Sequence, residues 1–144
     1  MTFHAEGTCE ISAWHEEPIW KFQGTSKLAE ATIKQKYAGD LVGTSRWEAL
    51  FCHLEDGTIR CAGLARLVGS LGGRSGKFGM EVRGNCDDSA MRLVWTILPD
   101  SATEELRGLS GTGTCTLQRR SSGIFTLHYE LVSRPVVPPR SSSS

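Results

Sequence analysis

Glu48 has the clearest chemical prospect in this chain. The Asp56-Gly57 pair is a strong short hairpin signal. A two-residue type I′ loop there pairs Glu55 with Thr58, Leu54 with Ile59, Cys52 with Cys61, Leu50 with Gly63 and Glu48 with Ala65. Ile59, Cys61, Gly63, Ala65 and Leu67 alternate with residues that include Arg60 and Arg66, so the odd set faces a core. Glu48, Leu50, Cys52 and Leu54 then face that core too. A carboxyl without a partner in such surroundings favours its neutral form, which raises its pKa and makes it a candidate acid or base. A wetted place at the rim, or an arginine partner, is the plainer alternative. A one-residue slip would instead turn Trp47, Phe51 and His53 inward. In the favoured register Cys52 and Cys61 are cross-strand neighbours, with Cβ atoms roughly 4.5–5.5 Å apart.

The other reactive side chains form no motif. Cys9, Cys52, Cys61, Cys86 and Cys115 are dispersed and include no CxxC, which suggests neither a disulfide framework nor a zinc knuckle. His4, His15, His53 and His128 show no HxH or HExxH spacing, so no dedicated metal site and no cofactor is expected, although distant ligands could converge. There is no GxSxG elbow and no paired Cys/His signature of a hydrolase. Arg119-Arg120 reads as a solvated turn rather than a phosphate site.

Short strands must carry these residues. Sixteen glycines punctuate runs rich in Val, Ile, Leu, Thr, Phe and Trp, the pattern of an all-β sandwich or barrel. Eight strands are expected, at Glu6–Trp14, Leu28–Tyr37, Arg46–Leu54, Thr58–Leu71, Lys77–Gly84, Met91–Leu98, Gly111–Gln118 and Gly123–Leu131. They should close into an all-β, antiparallel eight-stranded barrel. In the fifth strand Phe78, Met80 and Val82 face in. Residues 16–26, with Pro18 and Gly24, should be a long loop. Residues 100–106 could form one helical turn capped by Asp100 or Ser101.

Length and charge narrow the class further. A chain of 144 residues fits one domain, here 1–133, with the Pro- and Ser-rich 134–144 as a disordered tail. Sixteen basic and sixteen acidic residues give zero net charge, which argues against a nucleic-acid partner. No signal segment and no apolar run of membrane-helix length is visible, so no membrane is expected and the default address is cytoplasmic.

Several segments carry a resemblance. Residues 7–18 (Gly7-Thr8-Cys9-Glu10 through Trp14 to Pro18), Tyr37-Ala38-Gly39-Asp40-Leu41, the run from Gly69 to Phe78, Trp95-Thr96-Ile97-Leu98-Pro99 and residues 125–131 resemble the domain of unknown function 3224 family. The resemblance covers most of residues 5–131. It implies an eight-stranded barrel like that of the allene oxide cyclases, to which the chain is remotely similar through Gly39-Asp40-Leu41. Aligned from that step, the cyclase's inward cysteine falls on Cys52, and its inward carboxylate and amide fall on Glu10 and Ser12. The chain departs from the usual family pattern at Ala65 and Val82, where a glutamate and a histidine are expected, and at residues 100–104. Counted back from the glycine turn, Ala65 and Val82 come out directly opposed.

The resemblance implies a cofactor-free cyclase or isomerase acting on a small hydrophobic substrate inside the barrel. Such an enzyme needs a dry cavity and one polar group to move a proton or stabilise charge. Glu10 and Glu48 are then the candidate catalytic residues, sharing one space so that one of them keeps its proton near neutral pH. Ser12, Trp14, Leu50, Cys52, Cys61, Met80 and Trp95 are the candidate substrate-binding residues, with plain core packing as the alternative for Trp14 and Trp95. A non-catalytic barrel that binds a small molecule is the second reading. The third is a structural protein whose outward Trp47 and Phe51 form a homo-oligomer face.

Overall fold

In a computed structural model that describes residues 2–118 and 121–132, eight strands close into an antiparallel barrel in the order β1 to β8. They are β1 (Phe3–Lys21), β2 (Lys27–Gly39), β3 (Leu41–His53), β4 (Ile59–Leu71), β5 (Arg74–Cys86), β6 (Ala90–Ile97), β7 (Leu109–Gln118) and β8 (Ser122–Leu131). Each pairs with the next, and β1 returns to β8 from Phe3↔Tyr129 to Glu10↔Ser122. Among the described residues no helix is long and apolar enough to cross a membrane. The expected Arg119-Arg120 turn and the 134–144 tail lie outside the described residues.

Alternation builds the wall. Cys61, Ala65 and Leu67 of β4 are buried, as are Phe78, Met80 and Val82 of β5, while the alternate positions, Arg60, Leu64 and Arg66 in β4 and Lys77 and Arg83 in β5, face out. An eight-stranded barrel is just wide enough to be filled by side chains, and aromatic rings fill this one. Trp47, Phe51, Trp95 and Phe125 are each under 2% exposed. Trp95 stacks on Phe125 at 5.6 Å, Tyr37 meets Trp95 edge-on at 5.8 Å, and Trp47 lies 5.5 Å from Phe51.

The β3–β4 register differs from the type I′ expectation by one residue. Phe51 pairs with Cys61, Cys52 with Arg60 and Trp47 with Ala65. The cause is the loop. Gly57 N donates to Leu54 O at 3.1 Å and Leu54 N to Thr58 O at 2.9 Å, so three residues, not two, bridge the strands. Gly57, at φ +89°, is the left-handed residue that closes a type I turn with a bulge. Asp56 supports that turn by accepting from the Thr58 backbone and hydroxyl. The slip turns Trp47, Ala49 and Phe51 inward and Glu48 and Leu50 outward. Trp47 and Phe51 therefore form core, not an oligomer face. Cys52 and Cys61 are not cross-strand partners.

Other expectations shift for local reasons. The stretch expected as a loop from residue 16 continues β1 as far as Lys21; Pro18 is tolerated because this part of β1 pairs only with β2, and register breaks beside it. The Gly72-Gly73 turn is tighter than expected and pairs Leu71 with Arg74, so Ala65 meets Met80 and Gly63 meets Val82. A 3-10 turn forms at Glu104–Leu106, but its cap is Thr103, without a side-chain bond, rather than Asp100 or Ser101.

The β5–β6 turn yields a pH-dependent prediction. Asp87 accepts from Ser89 Oγ at 2.7 Å, Ala90 N at 3.0 Å, Ser89 N at 2.8 Å and Arg92 Nη1 at 3.0 Å. The Ser89 hydroxyl first, then these backbone amides and Arg92, hold its carboxyl well below the usual carboxylate range. A depressed folded pKa stabilises the fold above the unfolded value, and that contribution is lost as pH falls through the folded one. Asp87→Asn should lower Tm at pH 7, and the gap from wild type should narrow below about pH 4. A gap that stays constant down to pH 2 would show that the ionised carboxylate is not what matters.

Candidate functional site

Seen from the strands, the interior offers little acid–base chemistry. β1 buries Ala5 and Cys9, so its odd positions face in; the register then shifts between Ile11 and Ala13, and Trp14 and Glu16 become the half-buried positions. Glu10, in the even set before this bulge, and Ser12, at the bulge itself, are exposed outside the barrel. Glu48 is exposed on the outer wall as well, where Arg46 Nε donates to it at 2.6 Å and Thr32 Oγ1 at 2.9 Å. Arg46 first, and then Thr32, hold its carboxyl below the usual range, the reverse of the rise expected for a buried acid. The expected interior pair of Glu10 and Glu48 is thus corrected: the two face solvent.

The other candidates divide. Cys61, Met80 and Trp95 face the core, and burial pushes the Cys61 thiol up to about 12. Trp14 packs edge-on against Phe51 at 5.2 Å. Leu50 stands outside at 46% exposure, and the half-buried Cys52 is carried to the outer set by the same slip. Ser12 donates its hydroxyl to Lys34 O.

Tyr37, Ser45 and Gln35 form a hydrogen-bonded polar group inside the barrel. Tyr37 Oη lies 2.7 Å from Ser45 Oγ and donates to Gln35 Oε1 at 3.3 Å. Burial pushes the Tyr37 phenol far above its ordinary range, so it remains a neutral hydrogen-bonding group. At one end of the barrel, Glu16 Oε1 lies 2.9 Å from His53 Nε2, each side chain 20% exposed. Sequence reasoning missed this pair, which needs both the β1 bulge and the slipped β3 register.

A broad concavity lies on the outer wall. Cross-strand pairing places Lys34, Arg46, Arg66 and Gly79 in one row, and Lys36, Thr44, Val68 and Lys77 in the next. A groove of about 760 Å³ runs over these rows. Its floor is the outward side of β2–β5 where Gln35, Ser45, Leu67 and Phe78 turn their side chains inside. The loop after β6 forms one wall: Gly79 N donates to Ser101 Oγ at 3.0 Å, and Lys77 N to Thr103 Oγ1 at 3.1 Å. Ser12, on the β1 bulge, stands at the opposite wall. Lys34, Arg46, Arg66 and Lys77 line the groove, and Glu48 marks its edge beside a second groove that holds Glu17, Glu30 and Glu48. The wall is therefore basic toward one end and acidic toward the other. Sequence reasoning missed the four cations because zero net charge hides a local cluster. The alternation of β2 and β4 could have found Lys34 and Arg66.

Comparison with known proteins agrees with this architecture. A family described as protein of unknown function (DUF3224) matches residues 5–129. The crystal structure of a protein with unknown function from that family, from Shewanella oneidensis MR-1, superposes with a TM-score of 0.76 at 21% identity, over 92% of this chain and 99% of that one. No curated protein matches the chain.

Proposed function

The chain belongs to the DUF3224 family, and we propose that it is a non-catalytic binding barrel that holds an amphipathic organic anion on its outer wall. The observation that supports this reading is the groove of about 760 Å³, with Lys34, Arg46, Arg66 and Lys77 beside the apolar Val68. Guanidinium groups pair with carboxylate or phosphate in a two-pronged fork, and ammonium groups add point charge. The hydroxyls of Thr44 and Thr103 supply orienting hydrogen bonds. The ligand is an acid head on a short apolar body, in place of the small hydrophobic ligand inside the barrel that the sequence suggested. The cyclase expected from the resemblance would hold its substrate and both carboxylates inside the barrel. Here aromatic rings occupy the interior, and Glu10 and Glu48 face solvent.

Dodecanoate and dodecanol, titrated by calorimetry below their aggregation limits, test the proposal. The acid should bind one to one and the alcohol should not. Arg66→Glu should weaken the acid by about 10–100-fold, the worth of a hydrogen bond to a charged group. Equal binding of acid and alcohol, or an Arg66→Glu variant that binds as wild type does, would overturn the groove as the site.

A further inference from the structure

His4 and His128 lie 124 residues apart in sequence, yet their Nδ1 atoms face each other at 3.5 Å across the β1–β8 seam. They are register partners on neighbouring strands, and both side chains stand on the exposed outer wall. The ring centroids are 4.8 Å apart and the planes are inclined at 51°, so the rings converge through their nitrogens rather than stacking flat. At this separation the nitrogens share at best a long hydrogen bond. Two Zn–N bonds of 2.0–2.1 Å at a tetrahedral angle place their nitrogens about 3.4 Å apart. The pair already has that spacing.

The surroundings have the character of a metal site as well. Glu6 Oε2 lies 3.2 Å from His4 Nε2, on the far side of the ring from His128. A carboxylate on the outer nitrogen fixes the ring's tautomer and frees Nδ1 as a ligand, the arrangement that supports metal-bound histidines. The strands hold the site in place: Phe3 and Tyr129 stack at 5.4 Å, and Thr2 donates to Glu130 at 3.1 Å. We propose that His4 and His128 form a two-histidine site for a borderline divalent cation of the Zn²⁺ class, with Glu6 as its outer support. Imidazole suits Zn²⁺, Cu²⁺ and Ni²⁺ rather than Mg²⁺ or Ca²⁺. Among the described residues no third His, Cys, Asp or Glu joins them, so the remaining positions stay open to water or an exogenous ligand. This site is separate from the groove on β2–β5.

Zn²⁺ titration, followed by calorimetry and by the ¹⁵N resonances of the histidine rings, tests the site. One Zn²⁺ should bind per chain, shifting Nδ1 of His4 and His128 and leaving His15 and His53 unmoved. His4→Gln and His128→Gln should each weaken binding at least about 10-fold. Glu6→Gln should weaken it about 10-fold with both rings still shifting, as loss of an outer-shell partner does. These positions are exposed, so metal-free Tm should stay near the wild-type value and serve as the check on folding. Unshifted His4 and His128 resonances, or His128→Gln binding as tightly as wild type, would overturn the site. Shifts at His15 or His53 instead would do the same.

Discussion

Trp47→Ala should lower the stability of the barrel by about 3–5 kcal/mol, the range for deleting a large buried ring. Trp47 is 1% exposed and packs against Phe51 inside the slipped β3 register. Truncation removes its buried surface and leaves a void, because neighbouring rings held in a closed wall collapse only partly. For a domain of this size that is on the order of a 10–20 °C fall in Tm. Glu48→Ala, one residue further along, should change Tm little, because Glu48 stands in solvent beside Arg46. Urea unfolding of the two variants reads the register directly. If Glu48→Ala proved the more costly, the type I′ register would be the correct one.

Gly63→Val should cost about 3 kcal/mol, at the upper end of the usual range for overpacking. A Cβ at Gly63 would lie 2.1 Å from Glu48 O, 2.6 Å from Ala49 Cα and 2.8 Å from Trp47 Nε1. Two of these neighbours are backbone atoms of the paired strand, so β3 and β4 must separate and the Trp47 ring must shift as well. Gly57→Ala is the contrast. There a Cβ meets nothing within 4 Å, but φ is +89°, so the cost is backbone strain of about 1–2 kcal/mol. Thermal unfolding of both variants separates steric from conformational demand. A Gly63→Val protein as stable as wild type would contradict the close β3–β4 approach.

The outer groove and the His4–His128 pair share an origin. Both are made by outward positions on neighbouring strands, and their partners are far apart in sequence. A filled barrel has little chemistry left inside it, so its wall carries the polar and charged groups that can meet a ligand.

What the chain alone determines is the architecture and part of the core. Regular glycines and apolar runs set eight short strands, and the alternation in Ile59–Leu67 and Phe78–Val82 identifies two inner faces correctly. Alternation repeats every two residues, so it cannot anchor a strand whose two faces are both mixed. Glu48, Leu50 and Cys52 compete there with Trp47, Ala49 and Phe51. Asp56-Gly57 serves a two-residue type I′ loop or a three-residue bulged one equally well. Only closure of the barrel around Trp47 and Phe51 decides between them. In β1 Ala5 and Cys9 face in, so Glu10 turns out, and the bulge after Ile11 changes the phase so that Trp14 turns in while Ser12 stays out. The pairings Glu16–His53 and His4–His128 arise only when distant strands become neighbours, and strand order, unlike strand periodicity, is a property of the folded chain.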